Sequence, residues 1–139
     1  MNVYEEIGLK RVVNASGRMT ILGVSTLSDE VAQAAIAGGQ SYVVIEDLID
    51  KAGEIISRYT GGEDSCVTSS ASAAICLTIA GLITKGNKVL MDRLPNSDGL
   101  ANEIVIQKGH SVHYGAPMPT MIRLGGGVPV EAGTANEVV

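Results

Sequence analysis

The sequence of 139 residues predicts an α/β fold in which helices cover a mostly parallel sheet. Three segments in order carry that prediction: a strongly amphipathic helix, a short β-branched stretch and a long apolar helix. They occupy residues 45–59, 64–68 and 71–83, and an apolar stretch at residues 104–107 predicts a further strand. Helices that alternate with single strands are typical of parallel sheets, because each crossover lays a helix on the sheet.

The composition is apolar, small and acidic. Hydrophobic residues make up 45% of the chain, Trp and Phe are absent, and the 17 glycines favour close backbone packing. The net charge is −5 and no basic run occurs, which disfavours nonspecific nucleic-acid binding. The N-terminus lacks a signal-peptide pattern and no apolar stretch is long enough to span a bilayer. We therefore expect a cytoplasmic protein with no membrane partner, in which Cys66 and Cys76 are buried, reduced thiols.

The helix boundaries are the clearest local signals. Ser28 is predicted to cap a helix that ends at Gly38 and Gly39, and the helix over residues 45–59 is predicted to end at Gly61. Residues 11–14 and 128–131 are predicted strands, whereas residues 88–91 fit either a strand or a helix. The glycines at 125–127 indicate a turn rather than a binding loop, since no helix signal follows them. With no linker in view, we treat residues 1–139 as a single domain.

The segment from Val67 to Ile83 contains the strongest candidate for a binding site. A turn that leads from a strand into a helix presents unpaired backbone N–H groups, which suit a phosphate. Here Ser70 and Ser72 add hydroxyl donors, and Ala71 lets the backbone approach a ligand closely. Serines that only cap a buried helix are an equally good interpretation of the spacing. The segment carries neither a Walker loop nor a dinucleotide motif.

His110 directly follows a predicted buried strand. Ligands bind at the carboxyl edge of such sheets, so an imidazole there can stack on a flat ring. His113 comes three residues later, and surface-loop histidines are the alternative for both. No Cys, Asp or Glu cluster lies close enough in sequence to favour a metal site.

A polar patch precedes the first predicted helix. It contains Asn14, Ser16, Gly17 and Arg18. A guanidinium at this position can bind a substrate carboxylate or phosphate through two parallel hydrogen bonds. A solvated loop arginine is the more common outcome.

Several segments, taken together and in order, resemble the bacterial seryl-tRNA selenium transferase group, which are fold-type I pyridoxal-phosphate (PLP) enzymes. These segments are residues 13–17, 22–23, 45–48, 59–64, 68–74 and 133–137. Residues 102–110 and 121–127 are more similar to the D-glucosaminate-6-phosphate ammonia-lyase branch of that group. The similarity covers nearly the whole chain.

The resemblance implies a large α/β domain with helices on both faces of its sheet, working as a homo-oligomer with PLP between subunits. Ser70, Ala71 and Ser72 match the turn that binds the cofactor phosphate, and His110 matches the residue that stacks on the pyridine ring. His113 is the alternative candidate for stacking on the ring. Like the residues of the polar patch, it is also a candidate substrate contact. The implied substrate is a phosphorylated amino sugar acid.

The family's reaction also needs a Schiff-base lysine and an aspartate facing the pyridine nitrogen. The resemblance places both downstream of the matched region, and the chain's own lysines match neither context: Lys10, Lys51, Lys85, Lys88 and Lys108. We therefore expect an incomplete domain, the N-terminal segment of an enzyme that converts D-glucosaminate 6-phosphate to 2-keto-3-deoxy-6-phosphogluconate and ammonia.

Two alternatives stay open. One is a noncatalytic phosphate-binding or assembly module that stands alone. The other is a selenium transferase-like protein acting on aminoacyl-tRNA. The second is disfavoured, because selenium transferases have an Asn-rich turn where this chain has Thr68-Ser69-Ser70, and a Glu in place of His110. The lack of a basic surface agrees.

Overall fold

The computed structural model describes residues 2–133. The chain forms two compact units, an N-terminal unit, Met1–Ile45, and a C-terminal unit, Glu46–Val139. The last of the segments that carry the family resemblance, residues 133–137, lies outside the described residues beyond Gly133. None of the described helices is long and apolar enough to cross a membrane.

In the described residues, the N-terminal unit contains two α-helices and, in the otherwise irregular segment between them, a short 3-10 helix, Thr20–Leu22. Helix α1, Val3–Glu6, is closed by a capping box between Asn2 and Glu5. Helix α2, Asp29–Gly39, begins at the predicted cap, where the Ser28 side chain accepts from the Val31 N–H, and it ends as predicted. The strand predicted at residues 11–14 is wrong. Its backbone meets no neighbouring strand in the described residues, and a strand exists only through a ladder of hydrogen bonds with a partner.

Helix α3, Ile45–Thr60, confirms the amphipathic prediction and ends before Gly61, whose φ is +76°. On its polar face Lys51 and Arg58 pair with Glu54, and the Lys51 hydrogen bond and charge, with the Arg58 charge, lower the pKa of that carboxyl. At Gly53 a Cβ would lie 2.5 Å from the Ser65 carbonyl oxygen. This glycine lets the following segment lie directly on the helix.

The strand predicted at residues 64–68 is also wrong. The segment lies against α3, where the hydroxyl oxygens of Ser57 and Ser65 are 2.9 Å apart, and it joins no sheet. It leads into helix α4, Ala71–Thr84, which confirms the predicted apolar helix and ends at Lys85 in a left-handed conformation. Residues 88–91 prove helical, forming α5, Lys88–Met91, capped by the Asn87 side chain.

The main sheet confirms the α/β prediction. Strand β1, Glu103–Gln107, and strand β4, Val128–Ala132, pair in parallel. Between them the chain forms a small antiparallel hairpin, β2, His113–Tyr114, and β3, Ala116–Pro117, followed by helix α6, Met118–Leu124.

Helices α4 and α6 cover one face of the sheet. Their buried Ile79, Ile83 and Ile122 pack against Ile104 and Ile106 of β1. The valines on the opposite face, by contrast, are exposed in the described residues. Val105 and its β4 partner Val130 are 53% and 38% exposed. The described sheet therefore has one packed face and one open apolar face.

Helix α4 runs antiparallel to β1. Residues 99–101, which precede β1, line the same small cleft as residues 82–85 at the C-terminal end of the helix. The other end of α4 therefore points towards the carboxyl edge of the sheet. That orientation is typical of a helix packed on a parallel sheet, and it determines where the candidate site lies.

Candidate functional site

Ser70 is the N-cap of α4. Its hydroxyl oxygen accepts from the Ala73 N–H at 3.2 Å, and its backbone is extended. The Thr68 hydroxyl donates to the Ser70 carbonyl oxygen at 3.0 Å, which fixes the turn from the other side. The capping interpretation of the sequence is therefore correct for Ser70. Its O–H hydrogen is still free to donate, because accepting a bond does not use it.

The next residues supply the donors of the turn. The backbone N–H groups of Ala71 and Ser72 have no partner within residues 2–133, as expected in the first turn of a helix. The hydroxyl groups of Ser69 and Ser72 are exposed beside them and make no described hydrogen bond. Together with the positive end of the helix dipole, this group of donors suits a phosphate. The donor chemistry thus fits the phosphate of PLP.

His110 lies at the carboxyl end of β1, in a 3-10 turn over Lys108–His110. The side chain is exposed, and the following Ser111 donates to a carboxylate oxygen of Glu131 just before the end of β4. That bond ties the turn to the neighbouring strand. Because α4 is antiparallel to β1, His110 and the N-terminus of α4 share the same edge of the sheet.

His113 is set apart from that turn, in the small hairpin. It is exposed and pairs in register with Pro117 of β3. No hydrogen bond joins it to His110 in the described chain, and within residues 2–133 no three His, Cys, Asp or Glu side chains come together as metal ligands.

The polar patch lies in the other unit of the chain. Asn14 folds it into a turn, since its side-chain oxygen accepts from the Ser16 N–H at 3.0 Å and its amide donates to the Gly17 carbonyl at 2.6 Å. Gly17 has a φ of +82°, a conformation that this turn requires and that glycine adopts without strain. Arg18 follows the turn, with no described partner for its guanidinium. Asn14 therefore positions the loop, whereas Arg18 is available to a ligand.

Two features of the C-terminal unit differ from the sequence interpretation. Cys66 was expected to be buried but is exposed, because the segment before the turn joins no sheet. Ser97 was not singled out, yet it is buried and donates to the Gly126 carbonyl oxygen while accepting from the Asn102 amide. Only the contact between residues distant in sequence reveals its role, and no local pattern predicts it.

Comparisons with known proteins extend this picture. No family model matches the chain. A D-glucosaminate-6-phosphate ammonia lyase of Salmonella typhimurium is 50% identical over 135 residues, which is 97% of this chain and 37% of that protein. A 5'-C-glycyluridine monooxygenase-decarboxylase of a Streptomyces species is 40% identical over 135 residues, 96% of this chain and 34% of that protein.

A solved structure agrees with the first of these relatives. It is described as the structure of D-glucosaminate-6-phosphate ammonia-lyase, and it matches with a TM-score of 0.93 and 50% identity. The match covers 97% of this chain and 37% of that one, so the chain spans about a third of the length of the proteins it matches. In sequence and in fold, the chain is therefore a homologue of D-glucosaminate-6-phosphate ammonia-lyase over part of that protein, consistent with its N-terminal part.

Proposed function

We propose that this chain is the N-terminal segment of a PLP-dependent ammonia-lyase acting on a phosphorylated amino sugar acid. The observation that carries the proposal is the 50% identity to an ammonia lyase over nearly the whole chain, together with the matching fold. Because the chain spans about a third of that relative, the activity is proposed for the longer protein. Its substrate would be D-glucosaminate 6-phosphate, and its products 2-keto-3-deoxy-6-phosphogluconate and ammonia.

The cofactor's phosphate would be held at the start of α4. The N–H groups of Ala71 and Ser72 would donate to its oxygens, with the hydroxyl groups of Ser70 and Ser72 beside them. His110, at the same edge of the sheet, would stack on the pyridine ring. When bound, PLP supplies an electron-withdrawing ring that makes the hydrogen on the substrate's α-carbon easier to remove.

The other candidate residues are proposed to contact substrate. Arg18 would bind an anionic group of the substrate, and Asn14 and Ser16 would shape the loop that presents it. His113 is proposed as a further substrate contact from the hairpin. The working protein is proposed to be a cytoplasmic homo-oligomer.

The Streptomyces relative carries a different reaction in its name, yet it shares this same segment. The segment alone therefore does not determine the reaction, and substrate tests must be done on the longer protein. If the chain is instead a noncatalytic module, it should bind phosphate without PLP. The tRNA-dependent alternative predicts binding of aminoacyl-tRNA at low salt.

The decisive experiment expresses the chain in its natural reading frame with all adjoining coding sequence, in the presence of PLP. The purified protein is incubated with D-glucosaminate 6-phosphate, and keto acid and ammonia are measured together. We expect both products in equal amounts and visible absorbance from bound PLP. Absence of bound cofactor, or bound cofactor without keto acid release, would reject the proposal. A shift of aminoacyl-tRNA on a native gel would favour the tRNA-dependent alternative instead.

A further inference from the structure

A second candidate binding site lies in the N-terminal unit. Residues between Asn2 and Thr26 line a cleft of about 870 Å³, formed where the chain folds back past α1 and the turn at Asn14. Its volume is within the range that holds small ligands. Apolar side chains, including Leu9 and Ile21, line much of it.

The charge of this cleft has one sign. Lys10, Arg11 and Arg18 line it, and no Asp or Glu is among the lining residues. In a chain of net charge −5, three cations without a carboxylate form a local reversal of charge. A small anion is the ligand that such a site favours.

These cations are also uncompensated. Within residues 2–133 none of the three takes part in a described ion pair or side-chain hydrogen bond, whereas Lys51 and Arg58 of α3 are both paired. The Glu5 carboxylate accepts from the Asn2 N–H in the capping box of α1, and among the described residues neither it nor Glu6 forms an ion pair with these cations.

The loop that carries Arg18 is held in place. The Asn14 side chain makes two hydrogen bonds across the turn, and a backbone bridge joins Met19 to Val24 just beyond it. Val24 has a φ of +68°, which is unusual for a β-branched residue, and it lines the cleft. A loop fixed in this way spares the backbone's share of the entropy lost when a ligand binds.

We propose that this cleft binds the phosphate group of a small phosphate monoester through Lys10, Arg11 and Arg18. The ligand class rests on the proposed function, whose substrate is such an ester, whereas anion binding at the cleft does not. A phosphate dianion suits three cations better than a single carboxylate does, and the guanidinium of Arg18 can bind two phosphate oxygens at once.

The test titrates the chain with inorganic phosphate and with D-glucosaminate 6-phosphate by calorimetry, at an ionic strength matched with chloride. Arg18→Gln should raise the dissociation constants of the cleft for both ligands about fivefold to tenfold, from the loss of a charge-assisted contact in a partly open site, and should leave any phosphate binding at the start of α4 unchanged. Arg123→Gln is the matched control, because it removes an exposed α6 arginine with no described side-chain partner. It should change neither constant by more than about twofold.

Further measurements separate the possible failures. The circular dichroism spectrum of Arg18→Gln should match that of the unaltered chain, so that weaker binding cannot be attributed to unfolding. Unphosphorylated D-glucosaminate should bind weakly, and with equal affinity, to Arg18→Gln and to the unaltered chain. Equal phosphate affinity in the Arg18 and Arg123 variants would overturn the cleft assignment. Phosphate binding that depends on Arg18, in a longer protein that releases no keto acid, would reject the lyase and leave the cleft intact.

Discussion

Gly127 lies where the sheet meets both covering helices. A Cβ at this position would lie 2.8 Å from side-chain carbons of Ile104 and Ile122 and 3.0 Å from one of Ile79. Those three side chains belong to the core and its edge, so none can move aside without disturbing packing. The need for glycine here is steric, since the absence of a side chain lets β4 approach α4.

Replacing Gly127 with alanine should therefore destabilise the fold. We expect Gly127→Ala to lower the free energy of unfolding by about 1–3 kcal/mol, the usual cost of overpacking a core. Urea unfolding followed by circular dichroism measures this. Gly81→Ala is the matched control, because a Cβ at that helical position meets nothing within 4 Å. It should leave stability unchanged or raise it by up to about 1 kcal/mol. Equal midpoints for the two variants would contradict the packing argument.

Single residues were the hardest features to predict. The glycines at 125–127 were correctly predicted as a turn, but the burial of Gly125 and Gly127 against α4 depends on contacts that no local pattern contains. Ser97 was missed for the same reason, since its partner Gly126 is 29 positions away. The exposed Cys66 was expected inside because it lies in an apolar stretch of the sequence.

Helix α4 combines a structural role and a proposed binding role at its N-terminus. The Ser70 hydroxyl caps the helix, whereas the Ser72 hydroxyl makes no described hydrogen bond. If the proposed phosphate site is correct, a substitution at Ser70 should act on stability and on anion binding together, and one at Ser72 should act on binding alone.

This difference gives a test of the turn. Ser70→Ala should cost about 1 kcal/mol of stability through loss of the cap, and Ser70→Gly only a few tenths. Ser72→Ala should keep the stability of the unaltered chain and weaken PLP binding by the longer protein, measured by absorbance titration. If Ser72→Ala binds PLP as tightly as before, the phosphate is held elsewhere.

Helices were predicted well from the sequence and isolated strands were not. The bounds of α2, α3 and α4 follow from caps and periodicity, which are local signals. Residues 11–14 and 64–68 have strand-like composition, but neither meets a partner in the described residues. A strand is determined by its neighbours, so composition alone overpredicts it.

In the C-terminal unit, the open face of the sheet leaves a group of adjoining valines exposed. Val105, Val128 and Val130 point away from α4 and are 53%, 48% and 38% exposed. Apolar residues that adjoin one another on a sheet favour association with another surface. The chain by itself should therefore self-associate as its concentration rises.

Val105→Lys should reduce that association, because a charge at the centre of the face opposes its burial. Sedimentation velocity at several protein concentrations should show a lower weight-average mass for this variant than for the unaltered chain. Val89→Lys is the control, since Val89 is 72% exposed on α5 and lies outside the sheet. If both variants lower the mass equally, added charge rather than the sheet face explains the effect.

For the molecule as a whole, the α/β class and the resemblance to the ammonia-lyase family were predictable from the sequence. The division into two units was not. Caps and apolar periods determine the elements one at a time. The break at Ile45 falls at the very start of the amphipathic α3, where no Pro, Gly or charge run marks it. Its position depends on which elements pack together, and that information is spread over the whole chain.

The exposure of Cys66 has a practical consequence for all these binding measurements. Cys66 is exposed two positions ahead of Thr68, whereas the other cysteine of the chain, Cys76, is partly covered within α4. A maleimide fluorophore would therefore attach preferentially beside the serine turn, with no engineered cysteine. The emission of such a label would follow ligand arrival at the start of α4 separately from any event at the Arg18 cleft.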